Sequence, residues 1–206
     1  MSSFMKNTGQ QGLWHYIDNG QIDKVVDAIM KDPKQLDYRT GLNEDTPLHV
    51  IAMKGDVKMM QAIIDVIGPG VVLDMRNKAG DTPLMKSGAY GRDEMAVLLM
   101  NNGADPNAQN MLLETLLMKT IKGRNQDDVA EREKPAFDKI IETAIDRGAK
   151  IDAKSSTGNT ARDVADLFED DKTMCVLDAR LAEQKAGTSK PAAATAPKPV
   201  TSSKFG

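Results

Sequence analysis

The sequence predicts an all-α protein built from stacked pairs of short helices, and three observations lead to this prediction. The segment Thr46–His49 reads Thr-Pro-Leu-His and returns at Thr82–Met85 as Thr-Pro-Leu-Met, 36 positions later (82 − 46 = 36). A weaker copy begins at Thr115, another 33 positions on (115 − 82 = 33). Threonine is a good N-cap and proline fits the first helical position, so each of the first two copies is predicted to start a helix. Because the third copy follows at a similar repeat spacing, a helix is predicted to start there too.

In the most regular copy, glycines and apolar residues mark both helices of a pair. Leu84 faces inward in the first helix, which is predicted to end at Gly91. The apolar residues within Met95–Leu99 give the second helix a buried side, and Gly103 ends it. Two short helices cannot bury both of their faces alone, so the pair requires stacked neighbours.

The stretch from Ala79 to Ala108 resembles one whole ankyrin repeat. It carries Gly-Asp-Thr-Pro-Leu at residues 80–84, Gly91, and Asn-Gly-Ala-Asp-Pro-Asn at residues 102–107. The resemblance implies an ankyrin-repeat solenoid of about five helix-turn-helix units joined by β-turn fingers. It covers residues 11–183, and its motifs are most specific in the two middle copies.

The register of the copies also predicts the boundaries of the units. The copy at Thr160 follows Thr115 by 45 positions (160 − 115 = 45), about 12 more than the ankyrin period. We attribute the excess to a charged insertion, interpreted as a solvated loop or helix extension; shaping of a binding face is the alternative. The predicted units are a leader (1–10), an N-terminal cap (11–40), three repeats (41–76, 77–109, and 110–154 with the insertion at 124–135), a C-terminal cap (155–183, with its second helix at 171–181) and a flexible tail (184–206).

Charge and composition restrict the partners and the compartment. The 206 residues carry a net charge of −3, and the tail from residue 184 holds four lysines and no acidic residue, so residues 1–183 carry −3 − 4 = −7. An acidic body disfavours nucleic-acid binding. The chain starts without the apolar run of a signal peptide and has no long apolar stretch. We expect a cytoplasmic protein without a nucleic-acid or membrane partner; delivery into a host cell by a non-Sec secretion system is the alternative.

The sequence offers little catalytic or metal-binding chemistry. Both His15 and His49 occupy helical positions of a repeat, and the resemblance implies that His49 hydrogen bonds the helix start and a neighbouring repeat. The turn at residues 68–70 lacks the Lys-Ser/Thr of a phosphate loop. The only cysteine, Cys175, is predicted to be a buried apolar residue. We predict no catalysis, no cofactor, no metal site and no small-molecule substrate.

The function that the resemblance implies is recognition of a protein partner through the concave strip of finger tips and inner helix faces. Tyr90 is the strongest single candidate, because tyrosine is enriched among interface hot spots; the alternative is packing on a neighbouring helix. The register adds Ala89, Ser156, Asn159 and Phe168 as further positions of the strip. The predicted contact residues are Leu42, Asn43, Asp45, Met53, Lys54, Lys78, Asp81, Tyr90, Met111, Leu112, Glu114 and Lys122.

The third finger departs from the family pattern. Met111, Leu112 and Leu113 are large and apolar where a finger normally carries polar residues and glycine. Either a partner or the charged insertion is expected to cover them. Glycine is also replaced by Glu44 in the first finger, so the turn conformations at Glu44 and Leu113 are left open.

These observations favour an interaction module without catalysis that binds one protein partner. A secreted bacterial effector or dedicated inhibitor, which blocks a target enzyme with the same surface, is the alternative. The residue pattern gives an enzyme the least support.

Overall fold

A computed structural model describes residues 8–68 and 73–186. These residues form ten α-helices in five consecutive pairs and no β-strand, which confirms the predicted all-α class. The helices are α1 (Thr8–Asp18), α2 (Ile22–Lys31), α3 (Pro47–Lys54), α4 (Val57–Ile67), α5 (Pro83–Ala89), α6 (Asp93–Asn101), α7 (Leu116–Arg124), α8 (Lys134–Asp146), α9 (Ala161–Leu167) and α10 (Asp171–Lys185), with a 3-10 turn at Pro33–Asp37.

A threonine precedes the first helix of four pairs, as the sequence predicts. All four have the extended backbone of an N-cap residue. The Thr82 hydroxyl accepts a hydrogen bond from the Met85 amide at 3.3 Å. In the third repeat, where Leu116 replaces the proline, the Thr115 hydroxyl is buried without a hydrogen-bond partner among the described residues. The four capping residues are Thr46, Thr82, Thr115 and Thr160.

The helices form two layers. The inner helices α1, α3, α5, α7 and α9 contact one another in order along the stack, and the outer helices α2, α4, α6 and α8 form a second row. Between the layers lies one apolar cluster, in which Leu84, Met95 and Leu99 are fully buried. Burial of each such side chain contributes about 1.5–3 kcal/mol, so the shared core is what holds the short helices together.

Small residues let α5 and α7 approach closely at the centre of the stack. A Cβ atom added to Gly123 would collide with the carbonyl oxygen of Ala89. One added to Gly88 would collide with the Thr120 hydroxyl. Both glycines are therefore required by packing between neighbouring inner helices.

The extra residues of the third repeat are divided between a loop and a helix. The outer helix α6 begins 11 residues after Thr82 (93 − 82 = 11), whereas α8 begins 19 residues after Thr115 (134 − 115 = 19). Of this difference of eight (19 − 11 = 8), two residues lengthen α7 relative to α5 (9 against 7), and six lengthen the connection, which is 125–133 here and 90–92 in the preceding repeat. Helix α8 is longer than α6 by another four, with 13 residues against 9. Lys134 and Pro135, the last two residues of the predicted insertion, belong to the first turn of α8, so this part of the insertion extends a helix.

At the start of the insertion, the expectation of a solvated side chain is wrong for Arg124. It is the last residue of α7 and is only 6% exposed. Its Nε donates to Asp138 Oδ1 at 2.8 Å and its Nη1 to Asp170 Oδ2 at 2.7 Å. Asp170 in turn caps α10 by accepting a hydrogen bond from the Thr173 amide. Arg124 therefore joins α7, α8 and α10.

The two ends of the fold differ from the boundaries that the sequence predicts. Helix α1 begins inside the predicted leader, and α10 ends at Lys185 rather than Leu181, inside the predicted tail. Cys175 is exposed on α10, so the prediction of a buried cysteine is wrong. Residues 187–206 of the predicted tail and residues 69–70 of the predicted turn lie outside the described residues. Within the described ranges, no helix is both long and apolar enough to cross a membrane.

The Arg124 cluster predicts a contrast between two arginines of the same region. Arg124→Met leaves the buried Asp170 carboxylate without its cation and removes one of the two cations of the partly exposed Asp138, so we expect the free energy of unfolding to fall by about 3 kcal/mol. Arg132→Met is the control, because the Arg132 side chain is 85% exposed; its effect should stay within about 0.5 kcal/mol. Urea denaturation followed by circular dichroism measures both. Equal losses in the two variants would contradict the assignment.

The packing of the inner helices predicts opposite effects for two glycine substitutions. Gly123→Ala forces α5 and α7 apart, so we expect it to destabilise the fold by about 1–3 kcal/mol. Gly12 lies in α1, where an added Cβ would meet only Tyr16 at an ordinary distance of 3.8 Å. Gly12→Ala should therefore stabilise the fold by about 0.5–1 kcal/mol through helix propensity. Thermal unfolding of both variants tests the difference in sign.

Candidate functional site

Four five-residue turns, here called the fingers, precede the inner helices α3, α5, α7 and α9. Three of them close with a hydrogen bond from the amide of the first residue to the carbonyl of the fifth, as from Asn77 to Asp81 at 3.1 Å. In the first finger, Thr40 and Asp45 pair through both of their backbone groups. The fingers are residues 41–45, 77–81, 110–114 and 155–159.

Each finger is hydrogen bonded to the next one along the stack. The amide of the second residue in a finger donates to the carbonyl of the third residue in the preceding finger. This repetition fixes the spacing of the tips and turns the fingers into one continuous edge. The three bonds run from Lys78 to Asn43 at 2.8 Å, from Met111 to Ala79 at 3.0 Å and from Ser156 to Leu112 at 2.8 Å.

Asparagines at the first position of two fingers connect neighbouring fingers through their side chains. Asn77 Nδ2 donates to Asp45 Oδ1 at 2.6 Å, and Asn110 Nδ2 donates to Asp81 Oδ1 at 2.8 Å. The Asn110 amide nitrogen also reaches Glu114 in its own finger at 3.1 Å. The carboxylates of Asp45, Asp81 and Glu114 therefore lie beneath the fingers, and all three residues are less than 9% exposed.

Lysines of the inner helices neutralise these carboxylates. The Nζ atom of Lys86 lies 3.4 Å from Asp45 Oδ1, and that of Lys119 lies 3.3 Å from Asp81 Oδ2. Lys122 pairs with Glu114. Desolvation raises the pKa of the Glu114 carboxyl, but the hydrogen bonds from Lys122 and Asn110 outweigh it and hold the pKa below its usual value.

His49 couples its own helix start to the next finger. One ring nitrogen, Nε2, lies 2.8 Å from the carbonyl oxygen of Asp81, which can only accept, so Nε2 carries the proton. The other, Nδ1, accepts from the Thr46 hydroxyl at 2.7 Å and from the Thr46 amide at 3.3 Å. The structural role that the resemblance implied for His49 is confirmed. Burial lowers the pKa of His49 below 6.5 and favours this neutral form.

The predicted contact residues thus fall into two groups. Asp45, Asp81 and Glu114 are buried, and their assignment to the exposed surface is wrong, because they hold the fingers together. The other nine remain accessible, and Met53 among them is half-buried. The exposed lysines Lys54 and Lys78 pair with Asp18 at 2.7 Å and Glu44 at 3.9 Å. The accessible residues are Leu42, Asn43, Met53, Lys54, Lys78, Tyr90, Met111, Leu112 and Lys122.

The tip of the third finger is apolar and uncovered. Met111 is 75% exposed, Leu112 58% and Leu113 46%. The loop at residues 125–133 is within the described chain and leaves these side chains exposed, so the expectation that the insertion covers them is wrong. Cover by a partner is the alternative that remains.

Leu113 also has an unusual backbone. It adopts the left-handed conformation with φ 55°, at the position where the second finger has Gly80 with φ 78°. Glu44 does the same in the first finger with φ 53°, so the loss of glycine leaves the turn geometry intact. An L-residue in this conformation costs about 1–2 kcal/mol. Sequence reasoning left Leu113 out of the contact set, although an apolar residue in a glycine register was the signal that identifies it.

A second apolar row lies at the far ends of the inner helices. Tyr90 is 48% exposed and follows Thr82 by eight residues, and Phe168, 43% exposed, follows Thr160 by eight. Gly123 has this register in the third repeat and carries no side chain. Leu167, which sequence reasoning missed, is 69% exposed beside Phe168. The accessible strip therefore has apolar residues at the finger tips and again at the opposite ends of the helices.

Threonine-capped inner helices, a second helix layer and hydrogen-bonded fingers define a solenoid of helix-turn-helix repeats. Residues 13–110 match the family model for ankyrin repeats in three copies. The chain is an ankyrin-repeat protein. A comparison with curated proteins finds no significant match. Ankyrin repeats are generally protein-protein interaction modules and are typically non-catalytic.

The environment of His49 predicts a pH dependence of stability. Because the pKa of His49 is lower in the folded than in the unfolded chain, the unfolded chain binds more protons below about pH 6.5. The contribution of neutral His49 to the free energy of unfolding is therefore complete above pH 6.5 and is lost as the pH falls below it. In His49→Met, which places in this slot the residue found at Met85 and Met118, the slope between pH 7 and about 5.5 should flatten.

The same variant should lose about 1–3 kcal/mol at neutral pH, because the buried hydroxyl and amide of Thr46 lose their acceptor. The Asp81 carbonyl keeps its hydrogen bond from the Asn77 amide at 3.1 Å, so it is not left unpaired. Urea titrations at several pH values measure both quantities. An unchanged slope in His49→Met would contradict the assignment.

Proposed function

We propose that the protein is a non-catalytic interaction module that binds one protein partner through its finger tips and the adjoining concave face of the inner helices. The observation that carries this proposal is the exposed apolar tip of the third finger, Met111–Leu113. Exposed apolar side chains that adjoin one another on a soluble protein are typical of interaction sites.

The rigidity of the fingers supports this surface as the contact face. Each finger is hydrogen bonded to its neighbour through the backbone, as Met111 is to Ala79. Gly80 lies directly against Met111, because a Cβ added there would come within 2.8 Å of the Met111 amide nitrogen. A tip that is already ordered loses little conformational entropy on binding, so more of its contact energy appears as affinity.

Tyr90 forms the other edge of the proposed contact face. Its side chain is about half exposed at the end of α5, so it offers both ring area and a hydroxyl to a partner. Tyrosine is one of the residue types that most often contribute strongly to binding. We propose Tyr90, Met111 and Leu112 as the main contact residues. The other accessible positions of the predicted set form the rim.

We further propose that the binding domain consists of two caps and three repeats. The five helix pairs within residues 8–186 follow the predicted order of these units. The N-terminal cap then includes all of α1, and the C-terminal cap includes all of α10. The third repeat supplies the apolar finger, and only its first residue, Asn110, falls within the matched stretch 13–110.

The proposal predicts that Tyr90→Ser, Met111→Ser and Leu112→Ser together weaken binding at least about tenfold without loss of helical content. The full chain is used to capture proteins from native lysate, and affinities are then measured by calorimetry with the purified captured protein. Met30→Ser with Val66→Ser is the matched control, because these residues are 64% and 41% exposed on the outer helices α2 and α4. Unchanged capture by the triple variant, or equal loss in the control, would remove the proposed face.

A further inference from the structure

Leu113 is unfavourable for the isolated fold in two ways. Its backbone occupies the left-handed region, where the equivalent positions of the second and fourth fingers have Gly80 and Gly158. Its side chain is 46% exposed. Glycine would adopt this backbone conformation at a lower conformational free energy. A leucine that belonged to the core would be buried. Neither requirement explains a leucine at this position.

Glu44 has the same left-handed backbone as Leu113 but a different side-chain environment. Glu44 has nearly the same φ in the first finger, but its carboxylate lies 3.9 Å from Lys78. A charged side chain at this position is well hydrated and has an ionic partner on the next finger. Leu113 gains nothing comparable from its exposed half. Strained residues that persist in a fold concentrate at functional sites.

The charges around the fingers indicate what kind of segment would bind. The acidic residues of the first three fingers are paired within the protein: Glu44 with Lys78, Asp45 with Lys86, Asp81 with Lys119, and Glu114 with Lys122. Glu114 is the one ionisable residue of the third finger, so its pairing with Lys122 leaves that finger itself without an unpaired charge. A charged partner segment would lose hydration there without gaining a counter-ion.

The charge of the chain favours a different protein, rather than a second copy of this chain, as the occupant. The residues before the tail carry a net charge of −7, so two copies repel each other as their bodies approach. The fingers next to the apolar tip have small residues, with Ala79 and Gly80 on one side and Ser156 to Gly158 on the other. A narrow segment can therefore reach the tip from both sides.

We infer that Leu113, together with Met111 and Leu112, forms a docking patch for an uncharged apolar segment of a protein partner, and that Leu113 is a contact residue retained against its backbone preference. This inference rests on the proposed function, for which it names the chemistry of the partner.

The first part of the test separates binding from folding. Leu113→Gly and Leu113→Asn both suit the left-handed turn, so the thermal midpoint of the full chain should stay the same or rise. Met30→Ser is the control, because Met30 is 64% exposed on the outer helix α2, away from the accessible strip. A clear fall of the midpoint in both Leu113 variants would overturn the inference, since it would make Leu113 a structural residue.

The second part uses three short labelled peptides with one common pattern of leucines. The positions between the leucines are all serine, all glutamate or all lysine. At physiological salt, fluorescence anisotropy should show the serine peptide binding the full chain at least about tenfold more tightly than either charged peptide. Leu113→Gly should weaken binding of the serine peptide about tenfold, and Met30→Ser should leave it unchanged.

The remaining outcomes distinguish failure of this inference from failure of the proposed function. Tighter binding of a charged peptide, equal binding to Leu113→Gly, or no binding of any peptide would overturn the inference. Self-association that Leu113→Gly abolishes in sedimentation would also overturn it in favour of a second copy. In each case, loss of partner capture on substitution of Tyr90 alone would still support the concave face as the binding site.

Discussion

The hydrogen bond from each finger to the one before it is the constraint on which the rest of the structure depends. It joins loops that would otherwise move independently, and it sets the spacing at which the inner helices stack. Asn77 and Asn110 reinforce it by donating to buried carboxylates of the preceding finger. His49 adds a bond from the inner helix to the next finger. The polar groups beneath the fingers are therefore part of the scaffold, and only what projects beyond them is free to bind.

The sequence predicted the fold well because the fold repeats. A capping threonine, a glycine after the first helix and a fixed pitch are local signals, and each copy confirms the others. The prediction of individual side chains failed where partners come from another repeat. Asp45 was placed at the surface, but its partner Asn77 is 32 residues away. Arg124 was assigned to solvent from the composition of its neighbours, whereas its partner Asp170 is 46 residues away.

The third repeat shows how far the sequence of one unit can drift while its geometry persists. It lacks the proline after Thr115 and the glycine at Leu113, and it carries six extra loop residues before α8. Its finger still makes both backbone bonds to its neighbours, through Met111 and Leu112. The turn keeps its left-handed residue without glycine. Contacts between neighbouring repeats therefore stabilise a backbone conformation that an isolated turn with this sequence would not favour.

That cooperation explains how an apolar tip can be kept exposed. A flexible loop with three large apolar residues would fold them back onto the protein, since burial of each is favourable by a few kcal/mol. Here the backbone of Met111 is held by Ala79 and packed against Gly80, so the tip cannot turn inward without breaking the finger row. The same bonds that stack the repeats thus hold apolar side chains in solvent. A partner that covers them gains that burial energy, and because the third finger itself carries no unpaired charge, its apolar tip adds little electrostatic steering to the association rate.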